Sequence, residues 1–152
     1  MEKRKQEGFS VIGIKVRTIN ENGQAARDIG KLWHRFVSEN IVAKIPNKIS
    51  TSVLSIYTNY EKDHTAPYDT ILGCMVDSLE DIPEGMVGQR FNDSNYLRFL
   101  ANGDLSKGVV YKVWKEIWEN DFDRLYTADF EVYGEKAQDP TNAEVEIFVA
   151  VR

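Results

Sequence analysis

Two apolar stripes, each followed by two strand-like runs, constrain the fold of this 152-residue chain more than any other feature. In both stripes the apolar side chains recur at i, i+3, i+4, i+7 and i+8, which is the spacing of one face of an amphipathic helix. The stripes are Ile29, Leu32, Trp33, Phe36 and Val37, and then Val110, Val113, Trp114, Ile117 and Trp118. An apolar face has to be buried against a second layer, so two helices are expected to pack through these residues.

The segments around the stripes predict the same order of elements twice. Strands are indicated by alternating apolar residues rich in β-branched side chains, and turn-forming clusters separate them. The expected elements are a strand at 9–18, a helix at 26–40 and strands at 52–60 and 68–77, then an extended stretch at 86–101 kinked near Asn92-Asp93, a helix capped by Ser106, and strands at 127–134 and 143–151. The order is βαββ in each half. Duplication explains it, and chance recurrence of a common arrangement is the alternative.

These patterns predict one α+β domain over residues 1–152, with halves at about 8–77 and 86–151 and a flexible N-terminus at 1–7. A chain of this length can bury a sizeable core by itself. Its net charge of −5 argues against nucleic acid as the main partner, because phosphate binding requires a basic surface. The field of an acidic protein favours cationic small molecules, although the same charge also serves solubility.

Several other kinds of site find no support. No apolar run approaches the roughly 18 residues needed to span a bilayer, and no secretory signal precedes the first strand. The single cysteine, Cys74, lies in an apolar run, which predicts a buried inert thiol and a cytoplasmic protein. His34 and His64 do not form a metal-binding cluster, and no glycine-rich loop suits a nucleotide phosphate. We therefore expect no cofactor and no metal.

The segment from Asp129 to Tyr133 carries the clearest candidate for chemistry. In a strand, Glu131 and Tyr133 point to one face, and Phe130 and Val132 to the other. If this strand pairs with the last one, Glu146 and Phe148 are expected to share the surface of Glu131. A carboxylate among aromatic rings suits an organic cation. The alternative is a solvated glutamate on an open face of the sheet.

Several segments, in this order and spacing, resemble the gyrase-inhibitor-like family. They are Ser55-Ile56-Tyr57-Thr58-Asn59-Tyr60-Glu61 followed by Tyr68-Asp69-Thr70-Ile71-Leu72-Gly73, the pairs Leu32-Trp33 and Ile117-Trp118, and Asp129-Phe130-Glu131-Val132-Tyr133. The family includes effector-binding domains of AraC- and MerR-type multidrug-responsive regulators, and single-domain relatives of which some are encoded in integron cassettes. The resemblance, over about 9–151, implies two βαββ units related by a pseudo-two-fold axis, with antiparallel sheets, two helices and a central ligand cleft.

The resemblance also implies which residues form the cleft. It places Glu131 at the floor, facing lipophilic cations, and aromatic rings along the walls. Those aromatic residues are Tyr60, Tyr68, Phe99, Trp114, Tyr133 and Phe148. Two departures from the family pattern affect the rim of the cleft. Relatives often carry a proline in the final strand where this chain has Val149-Ala150-Val151, and often an apolar-Pro segment before the second-half strand where it has Phe91-Asn92-Asp93-Ser94.

The predicted function is binding of small, cationic, lipophilic aromatic molecules as a stand-alone effector- or drug-binding domain. The main alternative is a hydrolase in which Glu131 activates water and Tyr133 or Tyr68 assists. A purely structural or partner-binding role is the third. No helix-turn-helix fits upstream of Phe9, so direct binding of nucleic acid is not expected. A homodimer and a separate DNA-binding partner protein both stay open.

Overall fold

A computed structural model describes residues 2–152, whose strands form one antiparallel sheet flanked by helices. The elements are β1 (Glu2–Gln6), β2 (Phe9–Thr18), α1 (Gln24–Ser38), α2 (Ile41–Lys44), β3 (Val53–Thr58), β4 (Tyr68–Val76), β5 (Val87–Phe91), β6 (Ser94–Gly103), α3 (Val109–Glu119), β7 (Ala128–Tyr133) and β8 (Ala143–Val151). The strand order is β1-β6-β8-β7-β3-β4-β2-β5. The α+β fold class is confirmed, with a single sheet in place of separate ones.

The register of the sheet shows the duplication directly. Outward from the central pair β7–β3, β8 and β6 on one side correspond to β4 and β2 on the other. Strands β2 and β6 both have 10 residues, and β4 and β8 both have 9. In each half the second residue of the first strand pairs with the last residue of the last strand: Ser10 with Val76, and Asn95 with Val151. Two βαββ units therefore meet across β3 and β7, where Ser55 pairs with Glu131.

The flexible N-terminus expected for residues 1–7 is wrong for residues 2–6, which form β1 and pair with β6 from Glu2↔Arg98 to Gln6↔Ser94. The strand is almost entirely polar and exposed, so no hydrophobic pattern in the sequence predicts it. It forms because the outer edge of β6 offers unpaired backbone groups. At the opposite edge β5 pairs with β2 in the same way, so each half is extended by the strand that precedes the other.

Both helices lie on the same side of the sheet and bury parts of the predicted stripes. Leu32 and Phe36 of α1 are buried, whereas Val37 is 71% exposed because it lies at the solvent edge of the stripe. The predicted cap at Ser106 is also wrong. Asp104 accepts a hydrogen bond from the Ser106 backbone in a short 3-10 turn, and α3 starts only after Gly108, whose φ is 71°. No helix in residues 2–152 has the length and apolar character that crossing a membrane requires.

The opposite face of the sheet curves around an aromatic cluster. The ring of Phe130 in β7 lies 5.3 Å from Phe9 of β2, 5.3 Å from Tyr96 of β6 and 4.8 Å from Phe148 of β8. Strands β7 and β2 are three positions apart, which is about 14 Å in a flat sheet. Contacts this short are favoured by a sheet that curves toward this face and by rings that lean toward each other. Cys74 lies in the helix-side core, and its burial raises the pKa of the thiol to about 11, as expected for an inert cysteine.

The close approach of β2 and β4 depends on Gly13, which faces Gly73. A Cβ at position 13 would meet the carbonyl oxygen of Leu72 and come within 2.6 Å of the Gly73 Cα. We expect Gly13→Ala to lower the free energy of unfolding by about 2–3 kcal/mol, because backbone has to move. Gly30→Ala in α1 is the control: its Cβ meets nothing within 4 Å, and we expect a gain of about 0.5–1 kcal/mol. Denaturant unfolding measures both, and equal effects would contradict the steric account.

Candidate ligand-binding site

A cavity of about 540 Å³ lies between α1, α3 and the helix-bearing face of the sheet. This volume is in the range of sites for drug-sized molecules. Aromatic rings from both halves form most of its wall. The helices contribute Trp33, Tyr111, Trp114 and Trp118, and the strands and loops contribute Tyr57, Tyr60, Tyr68 and Tyr133. Several of these rings meet edge to face, including Trp33 with Tyr133 at 5.0 Å and Tyr57 with Trp114 at 5.4 Å.

The carboxylate of Glu131 lies at the base of this cavity and is only 3% exposed. Its Oε2 accepts hydrogen bonds from the Tyr57 hydroxyl and the Trp114 Nε1, both at 2.7 Å. Its Oε1 accepts one from the Tyr133 hydroxyl at 2.6 Å. The Ser55 hydroxyl in turn donates to the Tyr57 oxygen at 3.1 Å, which orients that ring. The alternative of a solvated glutamate on an open face of the sheet is therefore excluded.

Within residues 2–152 no ion pair reaches Glu131. Burial raises the pKa of Glu131, because the charged form loses its hydration. The three hydrogen bonds act in the opposite direction and favour the carboxylate, but they do not offset the desolvation. The site therefore contains a desolvated acidic group that an entering cation would stabilise in its charged form.

A second acid on the same strand, Asp129, has quite different surroundings. Its Oδ2 accepts from Arg124 Nη2 at 2.8 Å and from the Tyr60 hydroxyl at 2.6 Å, and its Oδ1 accepts from the Ala150 backbone at 2.8 Å. The carboxylate and the guanidinium are both almost completely buried. The ion pair joins the loop before β7 to β7 itself, and the hydrogen bond from Ala150 adds the end of β8. Asp129 is therefore an internal structural group, and Glu131 is the acid without a cationic partner.

Five of the seven residues predicted for the cleft line the cavity. They are Tyr60, Tyr68, Trp114, Glu131 and Tyr133. Phe148 does not, because Glu131 pairs with Ile147, and Phe148 pairs with Phe130 on the opposite face. The expectation that Glu146 and Phe148 share the surface of Glu131 was wrong for the same reason. Phe99 is on the helix side, but it packs against Phe122 at 5.5 Å beside α3 rather than lining the cavity.

Other cavity residues were missed in the sequence. Trp33 and Trp118 were assigned to apolar stripes as packing residues, and both belong to the wall. Tyr57 was missed because the repeat in the sequence matched Tyr60 to Tyr133. The register of the strands instead makes Ser55 and Tyr57 the first-half counterparts of Glu131 and Tyr133 across the central strand pair. His64 comes from the loop before β4 and stacks on Trp118 at 5.7 Å. No pattern in the sequence predicts the contact of His64 with Trp118 or the position of Arg124 in the cavity wall.

A duplicated βαββ fold with an aromatic cavity and a buried carboxylate defines a small-molecule effector-binding domain. Comparison with protein families gives the same class. The chain belongs to the Cass2 family of integron-associated effector-binding proteins, whose family model matches residues 4–151. The resemblance inferred from the sequence to effector-binding proteins, including those of integron cassettes, is thereby confirmed.

Individual relatives agree with this assignment. The integron cassette protein VCH_CASS2, from the mobile metagenome of Vibrio cholerae, is 34% identical, with a TM-score of 0.76 over 99% of this chain and 95% of that one. SAV2435, in a structure with bound tetraphenylphosphonium, is 22% identical with a TM-score of 0.80 over 100% and 94%, a likeness of fold alone. YobU of Bacillus subtilis (strain 168), named as a transcriptional regulator, is 28% identical over 92% of this chain and 90% of its own length.

The buried carboxylate leads to a prediction about stability and pH. Because burial raises the folded-state pKa of Glu131 above the ordinary 4.5, wild type loses stability as pH rises through that raised pKa. Glu131→Gln carries no charge at any pH, and its amide can still accept from Tyr57 and Trp114. We expect the variant to be more stable than wild type by about 1 kcal/mol or more at pH 8, and the difference to shrink toward pH 4.

Denaturant unfolding of both proteins from pH 4 to pH 8 measures this difference. Glu146→Gln is the control. Glu146 pairs with Arg98 at 2.6 Å in a partly exposed site, so its loss should destabilise slightly at pH 8. A Glu131→Gln difference that stays constant across the pH range would contradict the raised pKa.

Proposed function

We propose that this protein binds lipophilic aromatic cations in its cavity and that Glu131 supplies the negative charge that selects them. The observation that carries the proposal is the buried carboxylate of Glu131, which is surrounded by aromatic rings and has no cationic partner within residues 2–152. A permanent organic cation needs little hydration, so it can enter such a site and compensate this charge. A neutral ligand would leave the charge uncompensated, and an anion would be repelled.

The magnitudes favour recognition through charge combined with stacking. Opposite charges about 4 Å apart attract by about 4 kcal/mol at an effective dielectric constant of 20. Each ring that faces the cation adds about 0.5–2 kcal/mol. Asp129 contributes little to this attraction because Arg124 neutralises it at 2.8 Å. The charge that selects the ligand is therefore that of Glu131.

Two further observations support a binding role. The cavity volume of about 540 Å³ suits a multi-ring cation, and SAV2435, which shares this fold, was solved with tetraphenylphosphonium bound. The geometry of Glu131 also favours binding over the hydrolase alternative. Two donors occupy Oε2 and a third occupies Oε1, so the carboxylate is held by the protein rather than offered to a water molecule.

Isothermal titration with two ligands of matched shape and opposite charge tests the proposal. We expect wild type to bind tetraphenylphosphonium more tightly than tetraphenylborate by about a hundredfold or more, which corresponds to about 2.7 kcal/mol. Glu131→Gln preserves the shape of the site and removes its charge. Its affinity for tetraphenylphosphonium should fall by about tenfold or more, and the preference between the two ions should narrow.

Glu116→Gln is the matched control, because it makes the same chemical change on the exposed side of α3. It should leave both affinities unchanged. Equal affinity of wild type for the two ions would exclude charge selection, and an unchanged affinity of Glu131→Gln for the cation would place the site elsewhere. Tyr57→Phe, which removes one donor to Glu131 and keeps the ring, should affect the cation less than Glu131→Gln does.

A further inference from the structure

Unpaired polar atoms concentrate in one corner of the cavity. Within residues 2–152, four buried side-chain polar atoms have no hydrogen-bond partner, and three of them belong to His64 and Arg124. Both residues line the cavity. Most buried polar groups in proteins are hydrogen-bonded, so a group of unpaired ones beside a ligand cavity calls for a functional explanation.

The guanidinium of Arg124 is only partly used by the protein. Its Nη2 donates to Asp129 at 2.8 Å, and its Cζ lies over the Tyr126 ring, 4.4 Å from the ring centre. The Nε and Nη1 groups are buried and have no acceptor, although the side chain is only 4% exposed. These donors lie in a fixed orientation because the ion pair with Asp129 and the stacking on Tyr126 hold the guanidinium in place.

His64 adds a third unpaired atom to the same corner. Its ring lies nearly parallel to Trp118 at 5.7 Å and stacks on Tyr126 at 6.4 Å, the ring on which Arg124 also lies. Asn20 donates to the His64 carbonyl at 2.9 Å and so fixes the loop that carries it. Burial and the charge of Arg124 lower the pKa of His64, which favours the neutral imidazole. The unpaired Nδ1 can then act as a donor or as an acceptor.

Trp114 separates this corner from Glu131. The indole Nε1 donates to the Glu131 carboxylate, and the centre of the same ring system lies 5.9 Å from Arg124 Cζ. The cavity wall therefore carries an acid without a cationic partner at one end and, at what we call the donor end, a guanidinium with unpaired donors; one indole contacts both. A ligand that satisfies only Glu131 leaves the donors of Arg124 unpaired.

We propose that the cavity selects organic cations that also carry a hydrogen-bond-accepting oxygen, which Arg124 and His64 bind while Glu131 compensates the positive charge. The inference rests on the proposed binding of cations and specifies the chemistry of the ligand further. The accepting oxygen is that of a carbonyl or a carboxylate. The guanidinium of Arg124 can donate to either, and the charge of a carboxylate makes the hydrogen bond stronger.

Three phosphonium probes of shared shape test the inference: tetraphenylphosphonium, its (4-carboxyphenyl)triphenylphosphonium analogue and the methyl ester of that analogue. We expect at least one of the two oxygen-bearing probes to bind wild type about tenfold or more tightly than the parent cation. The comparison of acid with ester shows whether the site takes a charged or a neutral oxygen. Binding of both derivatives no tighter than the parent cation would overturn the inference.

Variants show whether the tighter binding of the oxygen-bearing probes, the gain, depends on Arg124 and His64. Arg124→Lys keeps a positive charge for Asp129 but loses the Nε and Nη1 donors. The ratio of the affinity of the oxygen-bearing probes to that of the parent cation, both measured in the same variant, should therefore fall to about one. His64→Phe keeps a ring on Trp118 without Nδ1, and it should reduce the tighter binding of the oxygen-bearing probes. This variant provides the test if Arg124→Lys does not fold. Arg35→Lys, at an exposed pair with Glu39 on α1, is the control and should change nothing. A gain that persists in both Arg124→Lys and His64→Phe would also overturn the inference.

The outcomes separate this inference from the proposed function. If the parent cation binds and the oxygen-bearing probes gain nothing, the selection of oxygen fails and cation binding stands. If the parent cation does not bind but the oxygen-bearing probes bind in a way that depends on Arg124, cation selection through Glu131 fails and the donor end stands. If no probe binds, both fail.

Discussion

The central constraint in this structure is the burial of one carboxylate where the two halves of the sheet meet. Glu131 of β7 pairs across the junction with Ser55 of β3, and donors reach it from three elements: Tyr57 on β3, Trp114 on α3 and Tyr133 on β7 itself. A desolvated acid requires such donors, because an unpaired buried oxygen is costly. The same three donors are also cavity walls, so satisfying the acid positions the rings around it.

Two acids on the face of one strand have different roles because their neighbours differ. Asp129 meets a buried guanidinium, its ion pair with Arg124 joins the preceding loop to β7, and its other oxygen accepts from Ala150 of the last strand. Breaking such a pair costs much more than its presence contributes, so Asp129 belongs to the architecture. Glu131, two residues later, meets neutral donors only. Its carboxylate is held in place without a cationic partner, which is the condition that the proposed binding of cations requires.

The two halves of the duplication differ at the position of the buried acid. Ser55 and Tyr57 in the first half correspond to Glu131 and Tyr133 in the second, so the two tyrosines are kept and the acid occurs once. A second carboxylate at position 55 would lie directly opposite the first, and two buried like charges would repel strongly. A serine there donates to Tyr57 instead. The pseudo-symmetric scaffold thus carries one carboxylate without a cationic partner near its axis, which is the group that the proposed ligand would meet.

The sequence by itself determined the elements and their faces, because side-chain periodicity follows from the geometry of strands and helices. It predicted β2 and β8 to the residue, placed Glu131 and Tyr133 on one face, and indicated the βαββ repeat. Tertiary structure decided the rest. The register of β7 against β8 moved Phe148 to the opposite core, and backbone pairing alone made residues 2–6 a strand. Arg124 and His64 reach the cavity from loops. The path of a loop depends on contacts between distant segments, so no periodic pattern in the sequence predicts it.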